Sequence, residues 1–243
     1  MPAVVAHGPR DRPLVALTFD GDMTPVMWHR LDTGAVASYA NPAVIDELVR
    51  LRVPASFFLT GMWAQRYPTE VRRIAADPMF EVGNHSFAHG AFTPRCYTLS
   101  PLPWSGMRAD VVRAAAVLQQ LVPRLTPYFR FPGGCYDDRA RAALAPLRLT
   151  VAGFDVASGD AFGRDPDAIV AHTLAAVRDG SIVVMHISAG TAPMTAVALP
   201  RIVAGLRTRG FRLVRFSDLV GLDGAARLDG PARLDRMAGS RAA

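Results

Sequence analysis

The amino-acid sequence predicts an α/β fold in which helices cover a parallel β-sheet, either doubly wound or closed into a barrel. Short apolar runs alternate with longer amphipathic segments about seven times along the chain. No linker interrupts this alternation, and polar side chains collect where the predicted strands end. With 243 residues, the chain is long enough to bury the core of one large domain.

Seven apolar runs of strand length form the predicted sheet. They cover 14–19, 55–59, 81–84, 128–131, 149–154, 181–185 and 212–214. Six amphipathic segments between them are predicted helices, at 42–52, 62–76, 106–121, 137–145, 165–178 and 194–209. Proline follows Asn41 and Asp165, as at helix N-termini, and Gly180 and Gly210 stand where C-terminal caps are expected.

The uninterrupted alternation predicts a single domain over 13–220, preceded by an N-terminal extension at 1–12. A tail at 221–243 is expected to be disordered, because it combines a short ARLD repeat with few apolar residues. Two connections, at 22–41 and 93–106, are longer than ordinary loops of an α/β domain and are therefore predicted to carry function.

Composition excludes several classes of protein. The net charge of +6 comes from arginine alone, since the chain has no lysine, and the arginines are spread along the chain rather than concentrated in a run. This distribution argues against a nucleic-acid partner. No apolar run approaches the roughly 20 residues of a transmembrane helix. The N-terminal residues lack the pattern of a secretion signal, so the chain is expected to be either cytoplasmic or a processed form of an exported protein.

Acidic and imidazole side chains follow neighbouring predicted strands. Asp20 and Asp22 end the first strand, and His85 and His89 follow the third. Histidines four positions apart can hold one ion on a helical turn, although two hydrogen-bonded core histidines are the alternative. Two acids at a buried strand end call for a cation or an arginine, such as Arg130, unless they merely form an Asx turn. Two histidines with one acid suit a catalytic zinc site.

Five segments, TFDGD, HSFAH, RFPGG, DVASGDA and VVMH, resemble in order and spacing the five motifs of the polysaccharide deacetylases. This family is also called carbohydrate esterase family 4 or the NodB-homology domain. The resemblance spans about 14–220. It implies a distorted (β/α)7 barrel of parallel strands with surrounding helices, in agreement with the seven predicted strands.

The resemblance also implies a role for each motif residue. Asp20 is the expected general base, held by Arg130. His85, His89 and a second acid are the expected metal ligands. Adjacent aspartates are usual in the family, whereas Gly21 follows Asp20 here, so the second acid is assigned to Asp22.

The remaining motifs imply the groups that surround the acetyl group. The backbone N–H of Gly133 is expected to bind the oxyanion, and Asp160 is expected to orient His186, the general acid. Ala161 follows Asp160 where the family usually has tryptophan, so Phe162 is the candidate for the aromatic wall.

These roles predict a metal-dependent hydrolase that removes acetyl groups from an N-acetylated or O-acetylated polysaccharide, such as peptidoglycan or a chitin-like oligomer. One divalent ion is expected, with zinc first and cobalt, nickel or manganese as replacements. A deacylase of a non-sugar amide and a catalytically silent glycan-binding domain are the alternatives. A monomer that is secreted or held in the cell envelope is favoured.

Two further sets of residues leave alternatives open. Cys96 and Cys135 follow the second and third motifs and would pair as a disulfide in an exported protein, or remain thiols otherwise. Trp28, His29 and Tyr39 lie in the first long loop, where they would either wall a sugar groove or pack within the loop.

Overall fold

A computed structural model describes residues 1–221, in which one mostly buried parallel sheet carries the fold. Its strands are β1 (Val4–Val5), β2 (Leu14–Gly21), β3 (Ala55–Leu59), β4 (Phe80–Asn84), β5 (Leu125–Phe129), β6 (Thr150–Ala152), β7 (Val156–Ala157), β8 (Ser181–His186) and β9 (Arg212–Val214). They lie in the order β1-β6-β5-β4-β3-β2-β8-β7, and β9 pairs with β2. The tail predicted to be disordered at 221–243 lies, apart from Gly221, outside the described residues.

The segment 150–157 curls the sheet into a distorted barrel. β6 pairs with β5, while β7, four residues further on, pairs with β8 at the other side of the sheet. The single strand predicted at 149–154 is therefore wrong: the chain changes partners after Ala152, where Gly153 N donates to Val5 O and Asp155 N donates to Ile182 O. The parallel barrel with surrounding helices is confirmed.

Helices surround this sheet. They are α1 (Pro25–Asp32), α2 (Pro42–Leu51), α3 (Gly61–Arg66), α4 (Pro68–Ala76), α5 (Met107–Gln119), α6 (Asp138–Leu144), α7 (Pro166–Ala176), α8 (Thr195–Thr208) and α9 (Phe216–Val220). The helix predicted at 62–76 is two helices, because Pro68 has no N–H to continue the first. α1 was not predicted; Thr24 caps it by accepting from Met27 N, and Pro25 occupies its first position.

β2 sets the position of the site. Every residue of β2 is buried, and β8 pairs with it from Val15 to Asp20, which places His186 directly opposite Asp20. On the other edge of β2, β3 pairs with the carboxyl half of the strand, from Thr18 to Gly21. Aromatic rings of Phe19, Phe57 and Phe80 pack against one another below this end of the strand.

The expected N-terminal extension contributes to the sheet, since Val4 and Val5 pair with Val151 and Ala152 of β6. None of the helices within residues 1–221 is both long enough and apolar enough to cross a membrane.

Candidate active site

Arg130 and Asp20 form a buried ion pair at the carboxyl edge of the sheet. Arg130 Nη1 donates to Asp20 Oδ1 at 2.7 Å and to Thr18 Oγ1 at 2.8 Å, and Nε donates to the carbonyl of Ala152 at 3.1 Å. The guanidinium also lies over the ring of Phe58, at 4.1 Å from its centroid. These partners compensate the burial of both charges, and they leave Asp20 Oδ2 facing His85.

Asp22, His85 and His89 present three potential ligand atoms that lie within 4.8 Å of one another. Asp22 Oδ1 is 3.3 Å from Nε2 of each histidine. It is buried and has no hydrogen-bond partner among residues 1–221. Nδ1 of His85 lies 2.9 Å from the carbonyl of Arg130, so Nδ1 carries the proton and the lone pair of Nε2 points at the carboxylates. Two imidazoles and one carboxylate fit zinc.

The two histidines do not lie on a helical turn, contrary to the argument from their spacing. Residues 85–90 form a loop in which Ser86 and His89 have φ angles of +72° and +53°. The loop is fixed by its own polar groups: Asn84 Oδ1 accepts from Ser86 N, and Ser86 Oγ accepts from His89 N. Gly61 N, at the start of α3, donates to the carbonyl of Ser86. Loop geometry therefore brings the two rings to a centroid distance of 4.9 Å.

The charges of this cluster suit cation binding. Burial favours a neutral Asp22 carboxyl, but the nearby histidines outweigh it and hold the pKa of Asp22 well below its usual range. Burial lowers the pKa of His89 to about 4, so its imidazole is neutral at pH 7. Burial also opposes protonation of His85, yet Asp20 and Asp22 raise the pKa of His85. The two carboxylates thus draw positive charge to the position between them.

Asp160 holds His186 on the opposite side of Asp22. His186 Nδ1 lies 2.8 Å from Asp160 Oδ1, while Asp160 Oδ2 accepts from His186 N and from Thr195 Oγ1, each at 2.7 Å. Ser158 Oγ also donates to Asp160 Oδ1. His186 Nε2 is left pointing towards the cluster, 3.9 Å from Asp22 Oδ2. Burial disfavours the imidazolium, but Asp160 raises the pKa of His186 to about 10.

Two of the residues that hold Asp160, Ser158 and Thr195, were not among the predicted site residues. Ser158 belongs to the DVASGDA motif, so its proximity to Asp160 was visible in the sequence. Thr195 gave no such signal, because it lies 35 residues after Asp160, at the start of α8, and reaches it only through tertiary structure.

Gly133 lies in a turn that follows β5 and adopts a φ angle of +62°, which favours glycine. A side chain there would meet Cys96 Sγ and the ring of Tyr97. Cys96 and Cys135 are joined by a disulfide with a Cα–Cα distance of 5.9 Å, which ties the loop after the histidines to this turn. Phe162 is 76% exposed, and its N–H donates to the carbonyl of Thr191.

The three residues singled out in the first long loop, Trp28, His29 and Tyr39, have different environments. Tyr39 is buried and packs in the core, where its carbonyl accepts from Trp63 Nε1, so it does not form a groove wall. Trp28 and His29 of α1 do line a surface groove.

The sequence profile of the family described as polysaccharide deacetylase matches residues 7–152, more than half of the chain. The protein belongs to the polysaccharide deacetylase family. Membership makes it a hydrolase, and its relatives carry deacetylase names. The chitooligosaccharide deacetylase of Sinorhizobium fredii is 30% identical over 210 residues, covering 82% of this chain and 88% of the relative. A peptidoglycan-N-acetylglucosamine deacetylase of Bacillus cereus is 26% identical over 213 residues, covering 87% and 70%.

Among solved structures, the Bc1960 peptidoglycan N-acetylglucosamine deacetylase superposes on this polysaccharide deacetylase with a TM-score of 0.75. The two share 24% sequence identity, and the match covers 90% of this chain and 94% of that one. The similarity establishes the same fold, in which motif residues from separate strand ends meet at one edge of the barrel.

Proposed function

We propose that this protein hydrolyses acetyl groups from an N-acetylated or O-acetylated polysaccharide, such as peptidoglycan or a chitin-like oligomer, with one bound divalent metal ion. One observation carries the proposal: Asp22, His85 and His89 converge on a common point, with Asp20 on one side and His186 on the other. A ligand set, a base and an acid thus occupy one buried edge of the sheet.

Asp22, His85 and His89 would hold the metal. The fit is supported by the buried Asp22 Oδ1, which has no hydrogen-bond partner in the described chain, and by the nitrogen and oxygen donors that zinc prefers. When bound, zinc supplies Lewis-acid polarisation of the acetyl carbonyl and increases the acidity of water. Cobalt, nickel or manganese can occupy a ligand set of this kind in its place.

Asp20 acts as the general base in this proposal. Arg130 occupies Oδ1 and fixes the plane of the carboxylate, so Oδ2 is the atom that takes a proton from water. The water oxygen forms a bond to the acetyl carbon, and the N–H of Gly133 stabilises the oxyanion that develops on the carbonyl.

His186 acts as the general acid. Its Nδ1–H donates to Asp160, which leaves the Nε2 proton for the departing nitrogen or oxygen of the sugar. The raised pKa keeps His186 protonated at neutral pH. Cleavage of the bond between the acetyl carbon and that atom releases acetate and the free amine or hydroxyl.

Acetate release from peptidoglycan, chitooligosaccharides and acetyl-xylan tests the proposal. We expect release by zinc-reconstituted protein, and loss of release after chelation, in Asp20→Asn and in His186→Ala. His172→Ala is the matched control, because His172 is an exposed histidine of α7. Release that survives both chelation and Asp20→Asn contradicts the mechanism. Release of acetate from small amides but not from glycans would show that the substrate is a non-sugar amide and not a polysaccharide.

We also propose that the protein acts outside the cytoplasm. The disulfide between Cys96 and Cys135 supports this location, because disulfides persist in oxidising compartments. Recovery of the native protein from the cytoplasm with both thiols free would contradict it.

A further inference from the structure

A groove of about 350 Å³ opens between α1, α3 and α5. One face of α1 forms one wall, with Trp28 and His29. Gln65 of α3 and Arg113 of α5 lie across from it, and Phe87 is part of the lining between them. None of these side chains has a role in the proposed mechanism.

The groove lies next to the proposed site because two of its walls continue directly from the cluster. α1 begins at Pro25, three residues after Asp22, a separation of at most about 11 Å. Phe87 stands between His85 and His89 in the same loop. The groove is therefore within reach of a neighbouring unit of a polymer whose acetyl group is held at the cluster.

The lining suits a sugar ring. Trp28 offers an aromatic surface, and its ring is held by Arg66, whose guanidinium carbon is 5.5 Å from the centroid. Phe87 is held between Arg113 and Gly61, where a side chain would collide with the ring. Gln65 adds an amide that can donate to and accept from hydroxyl groups. Aromatic faces with a few polar groups are typical of small-ligand sites.

Two side chains of opposite charge line the groove, Asp32 and Arg113, so an anion is favoured only at the Arg113 side. Within the described chain, no carboxylate lies within the 4.0 Å ion-pair distance of Arg113. Asp32 pairs with Arg66 at 3.6 Å. Asp110 of α5 attracts Arg113 from beyond ion-pair distance, but its carboxylate accepts from Phe87 N at 2.7 Å. Arg113 packs its guanidinium face on Phe87, 3.5 Å from the centroid, so its N–H edge remains available to a ligand.

We infer that this groove binds the sugar unit adjacent to the acetylated one, and that Arg113 recognises a carboxylate on that unit. The inference rests on the proposed function and narrows its substrate to glycans that carry carboxylates. A guanidinium binds a carboxylate through charge-assisted hydrogen bonds, which are stronger than those it forms with hydroxyls.

Kinetics on two matched oligomers test this. One is the β-1,4-linked tetramer of N-acetylglucosamine, and the other has the same length but carries a lactyl carboxylate on alternate units. We expect Arg113→Gln to raise KM for the carboxylated oligomer roughly tenfold, the loss of one charged hydrogen bond, with kcat and the neutral oligomer unaffected. Arg113→Lys should restore most of the preference. Arg108→Gln is the matched control, because Arg108 is exposed on the same helix outside the groove.

Equal effects of Arg113→Gln on both oligomers, or no effect on either, overturn the inference. Failure of the proposed function looks different: the wild-type protein then releases acetate from neither oligomer. In that case both oligomers survive intact and can be titrated by calorimetry into the wild type and Arg113→Gln. Weaker binding of the carboxylated oligomer to the variant supports the groove, and equal binding overturns it.

Discussion

Replacement of Arg130 by methionine should strongly destabilise the protein. Methionine keeps much of the length of the side chain but removes its charge and all of its donors. Asp20, which is 5% exposed, then loses the ion pair at 2.7 Å, and Thr18 Oγ1 and the carbonyl of Ala152 lose their donors. The neighbouring strands leave no solvent to replace them.

Removal of one partner from a buried ion pair costs about 3–5 kcal/mol, because the other charge remains without compensation. For a domain of this size, each kcal/mol shifts the melting temperature by about 2–4 °C, so we expect a decrease of about 6–20 °C. Urea unfolding followed by tryptophan fluorescence gives the free energy of unfolding, and a thermal melt gives the temperature shift.

A double-mutant cycle identifies the cause. If the uncompensated carboxylate of Asp20 is the main penalty, Asp20→Asn combined with Arg130→Met should be at least about 1 kcal/mol more stable than Arg130→Met alone. The reasoning is refuted if Arg130→Met unfolds within about 1 kcal/mol of the wild type, or if the two single effects simply add.

Three more outcomes are expected. Asp22→Asn should weaken zinc affinity at least about tenfold in competition with a chromophoric chelator, and unchanged affinity would remove Asp22 from the ligand set. Replacement of Cys96 and Cys135 by serine should lower the free energy of unfolding by about 4 kcal/mol, given their separation of 39 residues, and reduction of the wild type should match it in a thermal melt. Burial raises the pKa of Glu81, so the folded protein holds this proton more tightly than the unfolded chain and loses stability as pH rises above 4.5. Glu81→Gln should therefore equal the wild type near pH 4 and exceed it at pH 7 in urea unfolding, and an equal difference at the two pH values would contradict this.

It was predictable that the site residues would lie at one edge of the sheet, because they follow the carboxyl ends of parallel strands. Carboxyl ends of parallel strands share one edge, so Asp20, His85, Arg130 and His186 had to approach one another once their strands were recognised. The apolar runs that marked those strands are local signals. The pairing of β8 with β2, which places His186 directly opposite Asp20, was not visible in the sequence.

Other parts of the site depend on contacts that no local pattern encodes. The loop that carries His85 and His89 takes its shape from Asn84, from Ser86 and from the first N–H of α3, and two of its non-glycine residues have positive φ angles. The two histidines lie close together as predicted, but the loop brings them together, and the helical spacing on which the prediction rested is absent. The change of partners after Ala152 likewise depends on β1 and β8, which are distant in sequence.

The spacing of Asp20 and Asp22 follows from strand geometry. Side chains alternate between the faces of a strand, so these two acids point the same way and position 21 points the other way. A Cβ atom at Gly21 would lie only 2.6 Å from a methyl carbon of Leu59 and 3.3 Å from one of Ile187. A carboxylate at position 21 would enter this apolar packing. Glycine at that position instead lets the strand pass close to its neighbour, and the next residue, Asp22, carries its carboxylate to 3.3 Å from both histidines.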